Sequence, residues 1–257
     1  MSERNNSIMA CIVAFVIVCG VIIGGIFLLG QMDFNWNNNS NVNPELSEHS
    51  FTFNETSNLI GPSVTLDIDL DVGGVNVFFE NDYTLIYRLD IIISNETYSR
   101  HGTPSVEYTS NVISFNYPVA NVNVTLGSGT YYDIDALIDV GSIEINAESF
   151  GNLGNVRADV SVGSIQFIFG DGAYFATNNT IDLLVDVGSI DVILGLSSDI
   201  GGSFTGSIDT GDIDIISFGW TEVSETYYET PNILTASDVV IIDAQVGTGS
   251  LLAVLQQ

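Results

Sequence analysis

The chain has 257 residues, 46% of them hydrophobic, enough for one large core or for a smaller core with appendages. Four basic residues, all Arg, stand against 32 acidic ones, for a formal net charge of −28. So acidic a surface repels phosphate backbones, which sets nucleic acid aside as a partner, and it favours cations and a solvated, salty exterior.

Residues 1–7 form a short N-terminus, expected inside the cell. The run from Ile8 to Gly30 carries no charge in 23 positions, and as a helix it would be about 34 Å long, matching a bilayer's hydrocarbon thickness. A cleaved secretory signal has an apolar region of only ~7–15 residues, and Gly30-Gln31-Met32 is a poor cleavage site. Residues 8–30 therefore predict an uncleaved transmembrane signal-anchor. Long domains translocate largely regardless of their charge. The expected protein is thus single-pass in the cell membrane, with its N-terminus inside and residues 33–257 outside. An archaeal pilin-type leader would want a basic residue and Gly before the run, and Asn5-Asn6-Ser7 supplies neither. Cys11 and Cys19 both lie in the apolar run, so disulfide, thiol and zinc chemistry are not expected in the outer part.

Residues 31–60 are rich in Asn, Ser and Glu with no apolar period, the composition of a stalk. Asn-x-Ser/Thr glycosylation acceptors occur at Asn38, Asn54, Asn95, Asn123 and Asn178, all on the side expected to face outward. His49 falls in the stalk and His101 in the polar stretch Ser99-Arg100-His101-Gly102, where each reads as a surface histidine.

From residue 61 to 257 the chain alternates over short runs. In Leu66-Asp67-Ile68-Asp69-Leu70-Asp71-Val72 every odd position is Asp and every even one aliphatic, which puts a greasy face and an acidic face on one strand. Helical period is absent over long stretches, so the domain is expected to be all-β. A motif then recurs: Asp186-Val-Gly-Ser-Ile-Asp-Val192, with near-copies at Asp139–Ile145, Ser161–Phe167 and Asp209–Ile215, and a looser one at Asp71–Val77. Its glycines, Gly141, Gly163, Gly188 and Gly211, stand 22, 25 and 23 residues apart; Gly73 precedes them and Gly249 follows after a longer insertion. A period in the twenties marks stacked rungs with a glycine at each corner. Rungs ~4.8 Å apart would pair in parallel and share one core. Leu85–Tyr117 reads as longer antiparallel strands or degenerate rungs. Phe218, Trp220, Tyr227 and Tyr228 cluster in the insertion before Gly249 and are expected to cap the open end of the core.

On Val140-Gly141-Ser142-Ile143, Val162-Gly163-Ser164-Ile165, Val187-Gly188-Ser189-Ile190 and Thr210-Gly211-Asp212-Ile213 the repeat resembles the "putative-adhesin", or toast-rack, β-strand-repeat domains of prokaryotic envelope proteins. The resemblance runs from about residue 62 to the C-terminus and is best over 133–216. It implies a single-stranded, right-handed β-solenoid at the cell envelope, often membrane-anchored and without catalysis, and it supplies no catalytic residue.

Outward carboxylates at Asp133, Asp135, Asp139, Asp182, Asp186, Asp209, Asp212 and Asp214 are the candidate cation ligands. Calcium takes six to eight oxygens, which rungs of Asp and backbone carbonyls could offer. The glycine-and-Asp nonapeptide of calcium-binding β-helices is absent. No nucleophile elbow, P-loop or His/Cys cluster occurs, and every acidic pair is explained by alternation on a solvated strand. The expectation is a non-enzymatic surface protein acting in adhesion, envelope structure or binding of a surface glycan or envelope protein. Two alternatives stand beside it: an envelope-stress accessory that binds another membrane protein, and a polysaccharide-active β-helix enzyme.

Overall fold

The computed structural model describes residues 47–57, 61 and 63–257. The segment 8–30 expected to be an anchor, with its two cysteines, most of the segment expected to be a stalk, and Asn38 lie outside the described residues. Among the described residues no helix is long and apolar enough to cross a membrane.

The described chain is almost wholly strand: β1 (Glu48–Thr56), β2 (Ser63–Glu80), β3 (Leu85–Ser94), β4 (Glu107–Thr109), β5 (Val112–Gly127), β6 (Tyr131–Phe175), β7 (Asn179–Gly195), β8 (Ile200–Phe218), β9 (Thr221–Ser224), β10 (Tyr227–Glu229) and β11 (Asp238–Gln256). One short helix, α1 (Asn95–His101), follows β3. The Ser94 hydroxyl caps it by accepting from the Thr97 amide at 3.1 Å. His101 therefore ends a helix rather than sitting in a loop. Residues 48–56, read by composition as part of the stalk, are the strand β1, and His49 stacks on Tyr98 of α1 at 4.1 Å.

These strands form one open sheet of eleven, in the order β1-β3-β5-β2-β6-β7-β11-β8-β10-β9, with β4 on β5. From β5 to β8 every pairing is parallel. The pairs at both ends are antiparallel. The repeat glycines stack in register: Gly73 pairs with Gly141, Gly163 with Gly188, Gly188 with Gly249 and Gly249 with Gly211.

Each rung is a strand bent at its glycine. In β2 the inward side chains are Val64, Leu66, Ile68 and Leu70 before Gly73, then Val75 and Val77 after it. The inward phase thus moves from even to odd positions across the corner, so both arms turn their aliphatics to the same core. At Gly141 φ is 153°, a backbone state closed to ordinary L side chains, and a Cβ there would run into the carbonyl of Gly73 one rung away. Glycine is thus required twice over, by its own torsion and by its neighbour's approach. In β5 the corner is Ala120, in Val119-Ala120-Asn121-Val122. It is absent from the positive-φ residues and marks a rung that the glycine pattern does not reveal.

Two features depart from sequential stacking. The expected rung after Gly188 is Gly211, 23 residues on. Instead β11, carrying Gly249, lies between β7 and β8. The reason is burial. β11 offers Val240, Ile242, Ala244, Val246, Leu251, Ala253 and Leu255, all fully covered, whereas β8 carries Gly201, Gly202, Ser203 and Gly206 on its first arm. The greasier strand takes the two-sided position and the glycine-rich one the end. Likewise β5 lies outside β2, and Leu85–Ser94 forms the antiparallel strand over its second arm. Of the insertion aromatics, Trp220 and Tyr228 join the core as a cap, and Trp220 packs where a Cβ on Gly202 would otherwise sit. Phe218 stays mostly exposed.

Candidate functional site

Because the corners are in register, residues at equal distance before each corner share a row on the outer face. Six positions before the corner this row reads Ser114, Asp67, Asp135, Arg157, Asp182, Asp243 and Thr205. Parallel strands lie ~4.8 Å apart, so this is a line of four carboxylates and one guanidinium at close intervals. Arg157 lies 3.2 Å from an Asp159 oxygen and 4.0 Å from Asp135. Asp182 is its register partner on β7. Partial burial first, then the charges of Asp135 and Asp69, hold the Asp67 carboxyl above its ordinary range. Asp69 in turn accepts from the Asn116 amide at 2.9 Å. Beside Arg157, a shallow cleft of about 150 Å³ is bordered by Asp182, Asp243 and Gln245.

The eight carboxylates expected to hold a cation are interleaved with other groups. Asp133 accepts from the Asn155 backbone N–H at 2.7 Å. Asp135 and Asp182 flank Arg157. Asp139, Asp186 and Asp209 each precede a corner glycine by two, but Ser161 and Gly247 hold the intervening positions of that row. Asp212 pairs in register with Ser250, and Asp214 with Leu252. Among the described residues no group of three or more His, Cys, Asp or Glu comes together in a way that could hold a metal ion.

The row around Arg157 does not show among neighbours along the chain, because its members share only their distance from the corner. Counting six back from each corner glycine picks out Asp67, Asp135, Arg157, Asp182 and Asp243 from sequence alone, provided Gly249 is aligned with the rest. The corner glycines themselves, Gly73, Gly141, Gly163, Gly188, Gly211 and Gly249, are all at rung corners with positive φ. Asn54, Asn95, Asn123 and Asn178 are all exposed, on β1, α1, β5 and the turn before β7.

No protein-family model and no curated protein matches the chain. Among solved structures it is similar to a "putative cell adhesion protein" from Clostridium sporogenes, at 13% identity and a TM-score of 0.64, covering 82% of this chain and all of that one. Two further structures, a "putative adhesin" from Bacteroides fragilis and another from Parabacteroides merdae, align at 10% and 13% identity. Their TM-scores are 0.25 and 0.22, over 80% and 82% of this chain and 97% of each of theirs. The likeness to the clostridial protein is one of fold.

Proposed function

We propose that the chain is a membrane-anchored cell-surface protein whose outer domain winds as a right-handed, single-stranded β-solenoid and serves attachment or envelope structure without catalysis. The observation that carries this reading is the outer face. Rows of carboxylates, amides and hydroxyls repeat at strand spacing over stacked arms, and the cleft beside Arg157 is shallow. A flat, repetitive polar face suits contact with an extended surface such as a glycan or an envelope protein, whereas small-molecule sites are concave and mostly apolar. The fold shared with the "putative cell adhesion protein" from Clostridium sporogenes supports the same role here. The uncharged run 8–30 supports anchoring, and exposed Asn54, Asn95, Asn123 and Asn178 offer places for sugars. Calcium is not needed for this reading.

Cells lacking the protein are expected to lose attachment. They should regain it with the full chain but not with a chain lacking residues 8–30, which has lost its export signal as well as its anchor and should stay soluble inside the cell. Unchanged attachment in the deletion strain, or recovery of the full chain in the soluble fraction, would overturn the reading.

A further inference from the structure

We infer that the second arm of β8, Asp212–Phe218, is a docking edge for an extended segment of another protein in which basic and apolar residues alternate. The first arm of β8 is covered: Ser203–Thr205 pair with β10, and the Gly206 amide donates to Thr226 at 2.9 Å. Beyond Gly206 no strand pairs with the outer side of β8 among the described residues, while β11 pairs with its inner side through to Phe218. Ile208, Ile213 and Ile215 pack against the core yet stay only half-buried, and Ile216 and Phe218 are 42% and 59% exposed. A row of free backbone groups beside half-covered aliphatics is a template for one more strand. Of the usual protections, Pro, Lys and a register shift with β11 are missing from Thr210 to Phe218; the protection that remains is the charge of Asp212 and Asp214, which opposes an acidic or identical strand but not a basic one.

The occupant follows from charge. Asp209, Asp212 and Asp214 are exposed on this strand, and neither β8 nor β11 carries a basic residue. A second copy would set acidic edge against acidic edge in a chain of net charge −28. The chain's own segment before residue 47 offers Arg4 as its single cation. A strand alternating Arg or Lys with Val or Ile would instead place its cations toward Asp212 and Asp214 and its aliphatics over Ile213 and Ile215. This docking does not require the outer faces to adhere to anything. Failure of the peptide test below leaves the attachment reading standing, and an unchanged deletion strain leaves the docking edge standing.

The test uses the full chain in mild detergent and a fluorescent peptide of about nine residues alternating Arg and Val, long enough for one arm with flanks. Two control peptides accompany it, one with the same composition in two blocks and one N-methylated on alternate amides. Saturable binding is expected, weaker by about tenfold for both controls, because charge alone does not make a ladder. The Asp212→Asn/Asp214→Asn variant should also lose about tenfold, while Asp67→Asn on the far rungs should change binding less than about twofold. Equal binding of the three peptides, equal loss in Asp67→Asn, absence of binding, or a dimer in sedimentation that Asp212→Asn/Asp214→Asn strengthens would each overturn the proposal.

Discussion

The two ends of the rung stack are built from the same bent strand and finished differently. At the β5 end the second arm carries Val122, Val124 and Leu126, each with no exposed surface, because β3 lies antiparallel across it and β1 lies on β3. At the β8 end the equivalent arm carries Ile213 and Ile215, and both are half-exposed. Local pattern is not the difference, since both arms alternate apolar and polar residues after a corner. The difference is the presence of a covering strand. Burial in this fold is thus a property of position in the stack, and a strand's own alternation only decides which face it would bury.

The sharpest contrast concerns the corners. Gly141→Ala, in the middle of the stack, combines a disallowed torsion with a collision against the Gly73 carbonyl. It is expected to cost several kcal/mol, beyond the ~1–3 kcal/mol of backbone strain alone. Ala120→Gly at the covered end should cost about 1 kcal/mol or less. Urea unfolding measures both; similar losses would mean that the glycines are not stacked corners.

Next come the arms themselves. Leu126→Ala is expected to cost about 3 kcal/mol, as for a fully buried leucine. Ile215→Ala, half in solvent already, should cost about 1 kcal/mol. Equal midpoint shifts in the same assay would show that the β8 arm is covered in solution.

The smallest effect is electrostatic. Burial and the charges of Asp135 and Asp69 raise the Asp67 carboxyl, so its ionised form opposes folding. The opposition is absent below the unfolded-state value, grows as pH rises and is complete above the folded value. Asp67→Asn should therefore raise the midpoint at pH 7, by under about 1 kcal/mol given solvent screening, and do nothing at pH 3. Asp82, in the β2–β3 turn, has the opposite sign. Hydrogen bonds from the Thr84 backbone and hydroxyl, and from the Leu85 amide, lower its carboxyl. Its support is present above the unfolded value and lost as pH falls through the folded one. A pH series on Asp67→Asn and Asp82→Asn that moves the two variants in the same direction would contradict these assignments.

Much of this architecture is legible in the chain. Alternation in 66–72 tells which side chains go inward, and the glycine motif tells where the strands bend and that Gly73, Gly141, Gly163 and Gly188 align. What pattern does not carry is the choice among neighbours. Every rung has the same register and a similar face, so Gly211 and Gly249 are equally good partners for Gly188 by local criteria. The decision rests on which whole strand buries more, β11 with its aliphatics or β8 with its glycines. The Ala120 corner was hidden for a simpler reason: without a stacked glycine the motif has no signature. The Arg157 row was hidden because its successive charged members, from Asp67 to Asp243, are 22 to 68 residues apart in sequence and meet only once the corners are aligned.

That alignment is open to a direct check by disulfide trapping in a background with Cys11 and Cys19 replaced by Ser. Ser189 on β7 and Ser250 on β11 are register partners, and adjacent strands fall within the 4.4–6.8 Å between Cα atoms that a disulfide accepts. Oxidation should close Ser189→Cys/Ser250→Cys into an intramolecular bridge and leave Ser189→Cys/Asp212→Cys open. A bridge from 189 to 212, with none from 189 to 250, would mean that the rungs stack in chain order and that β11 does not lie between β7 and β8.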